Sequence, residues 1–157
     1  MSNQISSVAK VFVLAGPSNS GKTTALNYLA YEIASRFRVR SRTNPQPTNN
    51  PFDNKGNSID GKFAFSVSSQ GKTILVGIWT AGDDEDAVES GFKYFDATKC
   101  EICFLASRTW GKVFNRTKTE AETRAAIHER IRMTNSTSNQ AKAIEEQKMV
   151  RSLLSRI

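Results

Sequence analysis

The chain has 157 residues, 38% apolar and 24% charged, which is enough for one domain with one sizeable core and too little for two. That balance excludes wholesale disorder, and no apolar run approaches the roughly 20 residues that cross a bilayer. The formal charge of +7 is uneven, with net values of +1 over 1–35, +4 over 36–62, −4 over 63–103 and +6 over 104–157. Such a pattern suits a nucleic-acid partner or cations gathered around a phosphate ligand, and composition does not choose between them. Val11–Ala15 is too short for a signal-peptide core of about 7–15 residues. Two cysteines make no disulfide framework, so the expectation is a cytoplasmic, reducing compartment without a membrane.

Residues 10–15, KVFVLA, are β-branched and apolar and stop at Gly16-Pro17, as a buried parallel strand does. After a loop over 16–21, residues 22–36 are helical in pattern: Leu26, Leu29, Ala30, Ile33 and Phe37 share one face. Phe37–Arg42 alternates apolar and basic residues as a short strand. The 19 residues 43–61 hold three prolines, two glycines and five asparagines. A loop of that length is functional or mobile, and mobility without ligand is expected. Phe63, Phe65 and Val67, the break at Gln70-Gly71, and then Thr73–Trp79 predict a β-hairpin with a more buried second arm. A short helix is expected over 87–95, weakened by Gly91, and a strand over 100–106. From Lys118 onward only helix is predicted, about 119–133 and 140–156, split by the turn-prone 135–139. No apolar strand follows Ala106, which predicts a sheet of four or five strands.

Gly16-Pro17-Ser18-Asn19-Ser20-Gly21-Lys22-Thr23 matches G-x-x-x-x-G-K-[ST]. With a buried strand before it and an amphipathic helix after it, the chain resembles the P-loop NTPases. The physical need for each residue type is plain. Gly16 and Gly21 permit close backbone approach, and the backbone N–H groups with the following helix N-terminus form an anion nest. Lys22 puts a cation on the β- and γ-phosphates, and Thr23 offers a hydroxyl to Mg²⁺. The resemblance further implies that Thr24 reaches the α-phosphate. It implies a three-layer α/β fold over the single domain 1–157, with a small, mostly parallel sheet and a helical C-terminal third from about 118. ATP or another nucleoside triphosphate and Mg²⁺ are then the expected ligands.

Such a site also needs a carboxylate at the end of a neighbouring strand. Thr80-Ala81-Gly82-Asp83 is similar to the D-T-A-G element of GTPases, but Trp79 stands where that element has its Asp. Asp83 is the candidate metal carboxylate and Asp84 the second, the alternative being an acidic N-terminus on the next helix, the role given to Asp86. No N-K-x-D guanine motif follows residue 86, so adenine is the default. Arg40, Arg42 and Arg108 are candidates to surround a transferred phosphate, and Arg108 is the best placed, because ligands of open α/β sheets lie at the carboxyl ends of the strands. Arg116, Arg124, Arg130 and Arg132 read as a solvated helix face. Cys100 and Cys103 are expected to be buried thiols on opposite faces of a strand, His128 is placed mid-helix without a catalytic partner, and Trp79 and Trp110 are expected to pack in the core. The functional expectation is ATP hydrolysis or phosphoryl transfer, with Lys22, Asp83 and Arg108 in catalysis. Two other readings stay open: a slow switch or accessory subunit whose C-terminal helices dock a protein partner or a second copy, and a nucleic-acid-associated ATPase.

Overall fold

The computed structural model describes residues 8–17, 21–41, 47–124, 126–133 and 138–157. In chain order the elements are β1 (Lys10–Ala15), α1 (Lys22–Arg36), β2 (Arg38–Ser41), β3 (Lys62–Ser69), β4 (Lys72–Trp79), α2 (Glu85–Thr98), β5 (Ile102–Ser107), α3 (Gly111–Thr123), β6 (Ile127–Arg132) and α4 (Asn139–Leu154). The strands form one sheet in the order β2-β3-β4-β5-β1-β6. β1 pairs in parallel with β5 and β6, β4 in parallel with β5, and β3 antiparallel with both β2 and β4. Five strands therefore share a direction and β3 opposes them.

Alternation on the strands builds two cores. Phe12, Leu14, Phe65, Val67, Ile78 and Phe104 face one side and pack against Leu26, Leu29 and Ile33 of α1 and Met149 and Leu153 of α4. Val11, Val13, Cys103 and Leu105 face the other and pack against Val88, Phe92 and Phe95 of α2 and Ala121 of α3. The result is three layers, helix on sheet on helix, as parallel strands buried on both faces require.

Several expectations are corrected. The predicted helix over 119–133 divides: α3 begins earlier, at Gly111, and ends at Thr123, and residues 127–132 form the polar edge strand β6. Ile127 is exposed there and only Ile131 reaches the core, so apolar alternation does not announce this strand; its backbone ladder to β1 holds it. The sheet consequently has six strands rather than four or five, and the C-terminal third is not wholly helical. Helix α2 runs three residues past the expected end, and Gly91 within it is there for space, since a Cβ would lie 2.8 Å from Trp79 Cδ1. Cys100 precedes β5, so both thiols are buried as expected but in one core layer instead of on opposite faces. Trp110 is 81% exposed rather than packed, and His128 lies on β6.

Gly82 fixes how β4 leads into α2. A Cβ at that position would sit 2.0 Å from the carbonyl oxygen of Ala106 on β5, which backbone cannot yield. Gly82→Ala is expected to lower stability by about 1–3 kcal/mol, the cost of overpacking, read as a fall in the urea midpoint at unchanged slope.

Candidate functional site

The motif 16–24 occupies the turn between the carboxyl end of β1 and the start of α1. Ser18, Asn19 and Ser20 lie outside the described residues, as does Arg42. Gly16 N–H donates to Ser107 O at 3.3 Å, which ties the start of the turn to the end of β5. Gly21 is the residue before α1, with φ +93, a left-handed conformation that favours glycine. It gives no side-chain cap, and the first turn of α1 carries no acidic residue. The helix N-terminus therefore keeps its positive end without an internal capping group.

Lys22 is 6% exposed and its ammonium donates to Gly16 O at 2.5 Å. Burial is the main reason its pKa falls to about 8; the Arg108 guanidinium lowers it further and Asp83 opposes the fall. Lys22, Arg108 and Asp83 thus belong to one electrostatic cluster, and Arg108 Nη2 lies 3.6 Å from Asp83 Oδ1. The sequence candidates Lys22, Asp83 and Arg108 are brought together.

The strand order changes the basis for Asp83. β4 is not the neighbour of β1, because β5 lies between them; at about 4.8 Å per strand, the end of β4 is displaced roughly 10 Å from the end of β1. Thr23 nevertheless reaches across, its Oγ1 3.5 Å from Thr80 O. Asp83 is largely exposed. Asp84 is spoken for, since its side chain accepts from Ala87 N–H at 2.7 Å as the N-cap of α2, and Asp86 sits in the first helical turn as expected.

Two residues not singled out in the sequence belong to this site. Asp60 Oδ1 accepts from the Thr80 hydroxyl at 3.1 Å, and the same hydroxyl accepts from Gly61 N–H at 2.7 Å. Ser58 Oγ lies 2.6 Å from Thr24 Oγ1. The hairpin places Asp60 there: β3 runs antiparallel to β4 with Lys62 opposite Trp79, so Gly61, just before β3, lies beside Thr80, just after β4, and Asp60 is the next residue out.

The described part of the long loop, 47–61, has internal structure. Asp53 Oδ1 accepts from Lys55 N–H and Asn57 N–H, Phe52 and Ser58 form a β-bridge, and Pro51 is buried. Asn27 holds it to α1 by donating to Ile59 O at 2.9 Å. These contacts supply the anchorage that the loop's composition did not reveal.

Elsewhere the basic residues are mostly engaged. Arg116 pairs with Glu89 and Glu120, and Arg124 with Asp96 and Glu120. Arg130 and Arg132 are strand residues on β6, not helical ones, and Arg130 donates to Thr109 O while lying over the Phe114 ring. Arg40 lies on β2 opposite Ser66, at the far edge of the sheet from β1. His128 is half-buried, and burial lowers its pKa; its Nε2 has no hydrogen-bond partner. Among the described residues no cluster of three or more His, Cys, Asp or Glu forms a metal cage, and no helix is long and apolar enough to cross a membrane. No family model, curated protein or solved structure matches the chain significantly.

Asp83 and Asp84 are separable by measurement. Asp84→Ala is expected to cost about 0.5–2 kcal/mol through loss of the α2 cap. Asp83→Ala removes only an exposed pair and is expected to leave the thermal midpoint nearly unchanged. Equal losses in calorimetric melting would contradict the separate roles.

Proposed function

We propose that this chain binds a nucleoside triphosphate together with Mg²⁺ through Gly16–Thr24, and hydrolyses it or transfers its terminal phosphoryl group. The observation that carries this is the location of Gly16, Pro17, Gly21, Lys22 and Thr23 of the motif between a strand buried from Val11 to Ala15 and a helix whose first turn has no acidic residue or side-chain cap. Backbone N–H groups and the helix dipole at such a junction favour an anion. Lys22 adds a cation whose charged form burial disfavours and a phosphate dianion would favour again. Arg108 supplies a second cation from the end of β5, suited to charge developing on the transferred group.

The oxygen donors near Thr23 fit a hard cation. The Thr23 hydroxyl, the Thr80 carbonyl and the carboxylates of Asp60 and Asp83 suit Mg²⁺, which takes few protein ligands and keeps several waters. When bound, the ion would supply neutralisation of the β- and γ-phosphate charge. Asp60 accepts from the Thr80 hydroxyl, which orients it, whereas Asp83 is an exposed partner of Arg108 with room to turn toward a water of the ion. Adenine remains the default base, as no N-K-x-D motif is present.

A second reading, a nucleotide-dependent switch with slow turnover, is favoured by the Ser58–Thr24 contact. The loop 47–61 there engages the hydroxyl assigned to the α-phosphate, so ligand entry exchanges one set of contacts for another. Steady turnover of Mg·ATP supports the enzyme; tight binding with a single turnover supports the switch.

Lys22→Ala is expected to weaken triphosphate binding at least tenfold, or about 1.4 kcal/mol, with an unchanged circular dichroism spectrum. Equal affinity for parent and variant by calorimetry would exclude the site. The parent should also lose affinity as pH rises above about 8, the free-state pKa of Lys22. The sign follows from linkage: above that value the free protein holds a neutral amine and must take up a proton to meet the anion. Calorimetry in buffers of different ionisation enthalpy should therefore show proton uptake at pH 9 and little at pH 6.5.

A further inference from the structure

A groove of about 710 Å³ runs between α1 and α4, with Tyr28 and Tyr31 on one wall and Glu146, Gln147, Val150 and Leu154 on the other. Its size is that of a small-molecule site, and its lining mixes aromatic and aliphatic side chains with polar and charged ones, Arg36 and Arg151 among them. Glu146 is only 8% exposed, and its Oε2 has no hydrogen-bond partner. Burying a carboxylate without a partner is costly, and burial accordingly raises its pKa, with Lys142 only partly offsetting this. Glu32 and Arg36, further along the groove, satisfy one another at 2.7 Å, which leaves Glu146 Oε2 as the buried carboxylate oxygen there without a donor among the described residues.

The position of Glu146 links this groove to the phosphate site. Its Cγ and Cδ lie 3.2 Å from where a Cβ on Gly21 would stand, and Lys142 Cε lies 3.3 Å from the same point. The carboxyl group therefore abuts the residue immediately before Lys22. A buried acceptor, aromatic and aliphatic walls and a neighbouring anion site together match a flat heterocycle that carries an amino group and is linked to phosphates.

We propose that the groove between α1 and α4 is the base subsite of the bound nucleotide, with Glu146 accepting the exocyclic amino group and Tyr28 and Val150 flanking the ring. This rests on the nucleotide reading above and adds to it the group that selects the base. A site built to hydrogen-bond a substrate amine discriminates against the analogue lacking it, because the buried acceptor is then left unpaired.

The test measures affinities by calorimetry for ATP against purine riboside triphosphate, which lacks the 6-amino group, and for GTP against inosine triphosphate, which lacks the 2-amino group. Inorganic tripolyphosphate serves as the ligand without a base. In the parent, loss of the amine in at least one pair should weaken binding tenfold or more; in Glu146→Ala the same loss should change it less than twofold. Tripolyphosphate should bind parent and variant alike. If neither amine matters in the parent, or if discrimination survives in Glu146→Ala, the base subsite is overturned. Retained tripolyphosphate binding would then leave the phosphate site standing, whereas failure of every triphosphate to bind would remove both. The comparison in the parent needs no variant, so a poorly folding Glu146→Ala does not shelter the proposal; Glu146→Gln, which keeps an acceptor oxygen, should retain the preference.

Discussion

The pairing of β1 on both edges is the constraint on which the rest of the molecule depends. Its residues form parallel ladders with β5 on one side and β6 on the other, and its side chains from Val11 to Ala15 are buried on both faces. A strand so held cannot tilt or slide. The turn that leaves it at Gly16 is consequently anchored, with Gly16 N–H on Ser107 O and Met133 N–H on Ala15 O. The described ends of the 16–24 segment, Gly16 and Gly21–Thr24, thus start from a firmly paired strand, the kind of base that the proposed anion site would need.

A second tier of contacts is built onto that base from the hairpin. Because β3 opposes the other strands, the chain arrives at the carboxyl edge twice in this region, once at Asp60 and once at Thr80. Thr80 joins the two with its hydroxyl and its backbone N–H, and its carbonyl meets Thr23. Asn27 then bridges Thr23 O and Ile59 O. These are hydrogen bonds among partly buried groups, where local polarity is low and an unmade bond is expensive. Loop, hairpin and helix are thereby coupled through four side chains, Thr23, Thr24, Asn27 and Thr80.

Much of this was legible in the sequence, for physical reasons that can be named. β1, α1, the β3–β4 hairpin and β5 are buried elements, and burial writes a period into the residues: Phe63, Phe65 and Val67 alternate, and Leu26, Leu29 and Ile33 recur at helical spacing. Lys22, Asp83 and Arg108 were identified from motif and position, and they fall in one cluster. β6 was illegible because it is held by backbone pairing to β1, which leaves no apolar period in IHERIR. Strand order was likewise hidden, since residues 76–79 do not record that β5 comes between them and β1. Asp60 and Ser58 were masked by a loop composition that suggests looseness, whereas the Asp53 turn and the grip of Asn27 come from individual hydrogen bonds. Glu146 gave no signal among the other charges of its helix, and its burial is visible only once α4 is laid against α1.

The ladder between β1 and β6 joins residue 10 to residue 127 and residue 15 to residue 132, partners 117 positions apart in the chain. During synthesis the first strand leaves the ribosome long before its second neighbour exists. One edge of an apolar strand, the sort that invites pairing with other chains, stays open until β6 has emerged. Closing so long a loop adds entropy cost only logarithmically, but it delays assembly and exposes intermediates to aggregation. The polar character of β6 suits it to come last: IHERIR can wait in water without self-associating and then seal the sheet through its backbone. Released chains truncated before residue 127 should accordingly be far more prone to chaperone capture than released chains that include β6.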